Sequence, residues 1–221
     1  EEAVSRPGLR MVVVGNVPSP WSESAKGILQ LKGIQWTAVR LTYDSRLLKE
    51  WAGERSAPVV IYNDEPPRSG WAEILQLAER LAPTPALLPD AIEQRETVMQ
   101  LGHHICGEHG LGWTRRTQMV HAGLHGDGGF APEVSAYLAQ KYGYTPEAGV
   151  SADVRVGRLL QMLSERLKAQ RLAGSDYLVG NSVTAADIYS ATFMAMLRPL
   201  PESVCTMASA TRKAFELRGL H

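Results

Sequence analysis

The chain has 221 residues, is 44% hydrophobic, and balances 23 Lys and Arg against 23 Asp and Glu, so its formal net charge is zero. That length supports a sizeable core, in one large domain or two modest ones. Without a basic block the chain is a poor binder of nucleic acid or membrane surfaces, no apolar run reaches the ~20 residues of a membrane span, and the two cysteines, Cys106 and Cys205, exclude a disulfide scaffold and make a reducing cytoplasm the expected setting.

The opening "EEAVSRPGLR" has no apolar stretch of the secretory kind. Met11–Val14 is short and β-branched, which predicts a buried strand. The strand stops at Gly15, and a helical pattern begins at Ser22 and runs to Lys32, with Ala25, Ile28 and Leu29 on one face. Gly33 fits the position just past a helix end. Gln35–Leu41 predicts a second strand, parallel to the first if the helix between them is a crossover. Ser45–Ala52 is a short helix ended by Gly53, "VVIY" after Ala57-Pro58 is a third strand, and Trp71–Leu81 is a helix with Ile74, Leu75, Ala78 and Leu81 on one face.

Composition then changes. "APTPALLPD", Ala82–Asp90, carries three prolines and reads as a linker. Beyond it the pattern is helical: Ala91–His109, Leu111–Leu124, Pro132–Tyr142, Ala152–Leu172, Thr184–Leu197 and Met207–Leu217. The expected fold class is therefore α/β plus all-α: an α/β domain at 9–82, a linker at 83–90 and a helical domain at 91–221.

Four segments carry chemistry or punctuation. In "SPWSES", Ser19 before Pro20 is an N-cap and N1 pair, so its hydroxyl is expected to satisfy an orphan N–H. Ala57-Pro58 leads into a strand, where proline is ordinary. "PPRSG" places Pro66-Pro67 where a fourth strand would run, which shortens it, and leaves Ser69 as a candidate cap. Thr184 to Asp187 is a capping box with Asp in place of Glu, with Val183 and Ile188 as its apolar staple. His103, His104, His109, His121 and His125 invite a metal reading, but no tetrahedral ligand set has recognisable spacing, so no metal is expected. Cys106 reads as a small buried hydrophobe.

Taken in order, "SPWSESAKGILQLKGI", "SAPVVIY", "LAERLAPTPALLPD" and "LVGNSVTAADIYSA" resemble the cytosolic glutathione S-transferases over nearly the whole chain. The resemblance implies a thioredoxin-like N-terminal domain, an all-helical C-terminal domain, a cytoplasmic homodimer and glutathione as co-substrate. Ser19-Pro20-Trp21 reads as a serine version of the family's Cys-Pro-aromatic loop, with Ser19 stabilising the glutathione thiolate and Ser22 as runner-up. Ala57 and a cis Pro58 would pair with the cysteinyl main chain. Trp21, Arg68, Ser69 and Gly70 would complete the glutathione site, although the family's acidic residue before Ser is absent. His103, His104, Trp113 and Arg116 are candidates for the pocket of a small electrophile. The implied activity is attack of glutathione thiolate on that electrophile, with a role in detoxification. The alternatives are a non-catalytic binding or regulatory protein of the same fold, or a zeta-like glutathione-dependent isomerase.

Overall fold

The computed structural model describes residues 2–15, 17–42 and 44–217. The chain divides into two compact units, Glu1–Asp90 and Ala91–His221.

The first unit is built on a three-stranded sheet of order β2-β1-β3. After the short α1 (Glu2–Ser5), β1 (Leu9–Val13) is joined through α2 (Pro20–Leu31) to a parallel β2 (Trp36–Arg40). This is the crossover expected from the sequence, because parallel neighbours need a long connection. α3 (Arg46–Ala52) then leads to β3 (Val59–Tyr62), antiparallel to β1 with Val12 opposite Val59. Val12, Val39, Leu41, Leu48, Ala52 and Val59 form one buried layer on the α3 side of the sheet. Side chains alternate along a strand, so the fully buried Met11 and Val60 face the other layer, where α2 packs against α4 (Trp71–Leu81).

A fourth strand is reduced to one bridge, Val60 opposite Arg68, with paired N–H···O distances of 2.8 and 2.9 Å. Pro66-Pro67 just before it removes the donors a longer ladder needs. The proline-rich segment 83–90 belongs to the first unit and is tied down there. Lys32 Nζ, buried at the C-cap of α2, donates to Ala82 O and Pro85 O, both at 2.7 Å, and pairs with Glu79 at 2.9 Å. Leu87 is fully buried, and its N–H donates to Glu79 Oε1. A second cis peptide, Thr84-Pro85, lies in this segment.

In the second unit, α5 (Ile92–Cys106) packs on α6 (Leu111–His125) and α9 (Ala185–Met194), and α6 packs on α7 (Pro132–Lys141) and α8 (Pro146–Leu172). α10 (Ser209–Phe215) is the last described helix. α5 ends three residues before the expected His109, because the Gly107–Gly110 turn forces His109 to a positive φ of 60°. α8 starts well before the expected Ala152. Thr145 Oγ1 accepts from Ala148 N–H and Pro146 sits at N1, a start signal upstream of the apolar stripe. Tyr189 and Phe193 on α9 are fully buried, as expected of a central helix.

Asp187 fastens the start of α9. Its carboxylate accepts from Thr184 N–H (2.8 Å), Thr184 Oγ1 (2.9 Å) and Leu178 N–H (2.8 Å). The reach back from Asp187 to Thr184 is the expected half of the capping box. The Thr184 hydroxyl donates to that carboxylate, a role the capping-box reading did not foresee, because the acid lies within its reach.

Candidate functional site

Topology brings three pieces of the first unit to one end of the sheet. β1 runs toward Val13, and the chain continues from there to Ser19 and the N-terminus of α2. β3 is antiparallel to β1, so its first residue, Val59, and Pro58 before it lie at that same end. Arg68 pairs with Val60 in the antiparallel sense, so Ser69 and Gly70 also run toward that end, into the N-terminus of α4. Two helix N-termini and the Ala57-Pro58 turn therefore share one rim. Helix N-termini present orphan N–H groups and partial positive charge, which suits an anionic ligand.

Ser19 is the N-cap of α2 by backbone geometry (φ −74°, ψ 120°), and its carbonyl accepts from Glu23 N–H at 2.8 Å. Its hydroxyl makes no cap hydrogen bond. The side-chain capping expected from the Ser-Pro pair is thus absent, and the carbonyl makes only the ordinary first bond of the helix. The contrast is Ser45, the N-cap of α3, whose Oγ accepts from Leu48 N–H at 3.1 Å. Ser19 is 8% exposed, and Ser22, one turn on, is 1% exposed with no partner for its Oγ among the described residues. Trp21 lies between them at N2, half-buried, and its carbonyl accepts from Ser24 Oγ.

The Ala57-Pro58 peptide is cis, as the resemblance implied. Pro58 is buried and Ala57 half-buried, packed against the α3-side layer. The Ala57 N–H and C=O make no hydrogen bond to any described residue.

The third piece departs from expectation. Gly70, not Ser69, is the N-cap of α4, and Ser69 precedes the helix as an exposed residue. Glu73, at N3, turns back so that its Oε2 accepts from Gly70 N–H at 3.1 Å. A Cβ on Gly70 would stand 2.9 Å from that oxygen, the mobile end of an exposed side chain that can shift to accommodate it. Arg68 is not aimed at this terminus as a free charge: Nη2 pairs with Glu65 Oε2 at 2.7 Å, and Nη1 donates to Pro66 O. Arg80 also binds Glu65, and these two arginines hold the Glu65 carboxyl below the usual range, Arg80 contributing most. Glu73 was not singled out from the sequence, although Gly70-x-x-Glu73 is half of a capping box and was legible as one.

The other candidates belong to the second unit. His103 and His104 are exposed on the last turn of α5. Trp113 stacks edge-on against Tyr142, ring centroids 4.7 Å apart. Arg116 is buried, its guanidinium over the Phe130 and Phe215 rings at 5.3 and 5.4 Å. Its neighbour Arg115 donates to Met196 O, Ala214 O and Phe215 O, joining the end of α10 to the turn after α9. That hub was missed: both adjacent arginines are buried but only Arg116 was singled out, and the carbonyls Arg115 gathers lie 81 to 100 positions away, beyond any local signal. Burial pushes the Cys106 thiol well up. His121 Nδ1 lies 2.8 Å from Tyr144 OH, and the described residues hold no group of three or more His, Cys, Asp or Glu able to take a metal. No described helix is long and apolar enough to cross a membrane.

Residues 133–215 match the family model of the glutathione S-transferase C-terminal domain. Among solved structures, a glutathione S-transferase from Methylobacterium radiotolerans, in complex with glutathione sulfonate, matches at 17% identity and a TM-score of 0.62, with 93% of this chain and 88% of that one covered. Ure2p in complex with glutathione matches at 14% identity and a TM-score of 0.65, covering 94% and 98%. The tau-class glutathione S-transferase of mango, Mangifera indica, matches at 18% identity and 0.58, covering 94% and 88%. Comparison with curated protein sequences gives no match. Residues 133–215 thus match that family's C-terminal domain, and the likeness to these structures shows the fold, a thioredoxin-like domain followed by a helical one.

Proposed function

We propose that the chain binds glutathione and joins it through its sulfur to a small, partly apolar electrophile. The observation that carries this reading is the Ser19 hydroxyl, buried at the N-terminus of α2 and unused as a cap. A thiol held there is pushed toward its thiolate by the helix N-terminus, and a hydroxyl donating to sulfur favours the charged form further. The thiolate then attacks the electrophilic carbon, a sulfur–carbon bond forms, and the leaving group departs with the electron pair or, for an enone, the β-adduct takes up a proton. Ala57 would pair main chain to main chain with the cysteinyl residue, in the manner of an added strand. Trp21, Pro58, Arg68, Ser69 and Gly70 would wall the tripeptide, and His103, His104, Trp113 and Arg116 remain candidates for the electrophile's surroundings. Mixed-disulfide chemistry is disfavoured, since it needs a protein thiolate where this chain has Ser19. The cytoplasmic homodimer and detoxification role implied by the resemblance go with this reading.

A second reading, a binding protein of the same fold without turnover, is favoured by one observation: Glu73 already holds the Gly70 N–H. Calorimetry with glutathione, paired with turnover assays on aryl halides, enones and hydroperoxides, separates the two. Binding with turnover of at least one electrophile is expected, and binding without turnover on any of them supports the second reading.

A further inference from the structure

The N-terminus of α4 carries its own anion. Glu73 Oε2 accepts from Gly70 N–H at 3.1 Å. The neighbouring cations do not offset the carboxylate. Arg68 and Arg80 both bind Glu65, which lies on the turn before the proline pair. Glu73 itself is exposed, held by one backbone N–H and by the helix dipole, an arrangement worth well under a fully buried pair. It is therefore displaceable, but only at the loss of that bond.

This bears on the ligand proposed above, and rests on that reading. Of glutathione's two carboxylates, that reading assigns the α-carboxylate of the γ-glutamyl end to this terminus, beside Ser69 and Gly70. An anion arriving at this terminus meets a like charge already in contact with the donor it needs. We propose that Glu73 is a specificity-determining residue that competes with the γ-glutamyl carboxylate for the Gly70 N–H, weakens glutathione binding, and shifts preference toward thiols without a carboxylate at that end.

The test is isothermal calorimetry on the full chain, wild type, Glu73→Gln and Glu73→Ala. Two ligands are titrated: glutathione, and its analogue lacking only the γ-glutamyl α-carboxylate, γ-aminobutyryl-cysteinyl-glycine. Glu73→Gln keeps an acceptor for Gly70 N–H and removes the charge, so the helix stays capped. Glu73→Ala clears the position, and a thermal melt run alongside shows that each variant is folded. The expected result is glutathione affinity raised about fivefold by Glu73→Gln and by more in Glu73→Ala, as for loss of one like-charge contact near water. Affinity for the analogue, which keeps the ammonium but not the carboxylate, should not rise in either variant. Equal or weaker glutathione binding in the variants overturns the proposal, and so does an equal gain for both ligands, which would mean a general charge effect. If neither ligand binds any of the three folded proteins, the glutathione reading itself fails, and this inference with it.

Discussion

Ser19 and Ser45 both precede a helix, yet only Ser45 uses its side chain as a cap. The difference sets an expectation. Ser45→Ala removes a hydrogen bond to Leu48 N–H and should cost about 1 kcal/mol, the usual value for a lost N-cap. Ser19→Ala removes no such bond, so its denaturant midpoint should stay close to that of the wild type while its effect on bound thiol is large. A stability loss for Ser19→Ala matching that of Ser45→Ala would return Ser19 to a capping role. The residue scale is also where the sequence was least informative. Ser-Pro is the same signal whether the hydroxyl turns to the backbone or to a ligand, and only coordinates separate the two. Glu73 shows the reverse: its spacing from Gly70 was readable, but the expectation of an acidic-Ser pair drew the reading to 69–70 instead.

At the scale of elements, Lys32 ties α2 to the end of α4 and the proline-rich segment that follows. Its ammonium has three donors, and three acceptors meet it: Ala82 O, Pro85 O and Glu79. The Lys32 side chain is fully buried and Glu79 is partly buried, so removing the ammonium leaves its acceptors poorly served by water. Lys32→Met should destabilise the chain by about 3 kcal/mol or more, read as a lower denaturant midpoint. A change below about 1 kcal/mol would mean that water replaces the ammonium without penalty. The elements themselves were mostly legible. Apolar stripes at helical spacing gave α2 and α4, and the β-branched runs gave β1 and β3. The antiparallel direction of β3 was not legible, because pairing direction depends on where a distant segment docks. Nor was the fastening of segment 83–90: three prolines signal a linker, while Leu87 and the carbonyls on Lys32 act only once the unit is folded.

At the scale of the whole molecule, the change of composition begins at Ala82 while the division into two units falls after Asp90, so segment 83–90, read as a linker, goes with the first unit. The α/β-then-helical order was legible because it rests on periodicity, which is local. The site was less so, since it assembles residues from 19, 57–58 and 68–70 that are brought together only by the register of β1, β3 and Arg68. The central claim concerns the charge state of a thiol at that rim, and ultraviolet titration of bound glutathione thiolate against pH, in wild type and Ser19→Ala, tests it most directly. A free cysteine thiol ionises near pH ~8.5, and a hydrogen bond to a charged group is worth roughly 1.5–3 kcal/mol, or about one to two pH units. The donor favours the charged form, so the bound thiol should titrate below its free value in the wild type, and Ser19→Ala should move that titration upward by about that amount, with turnover at neutral pH falling about ten- to a hundredfold. A bound thiol that titrates at its free value, or a titration unmoved by Ser19→Ala, would contradict the account.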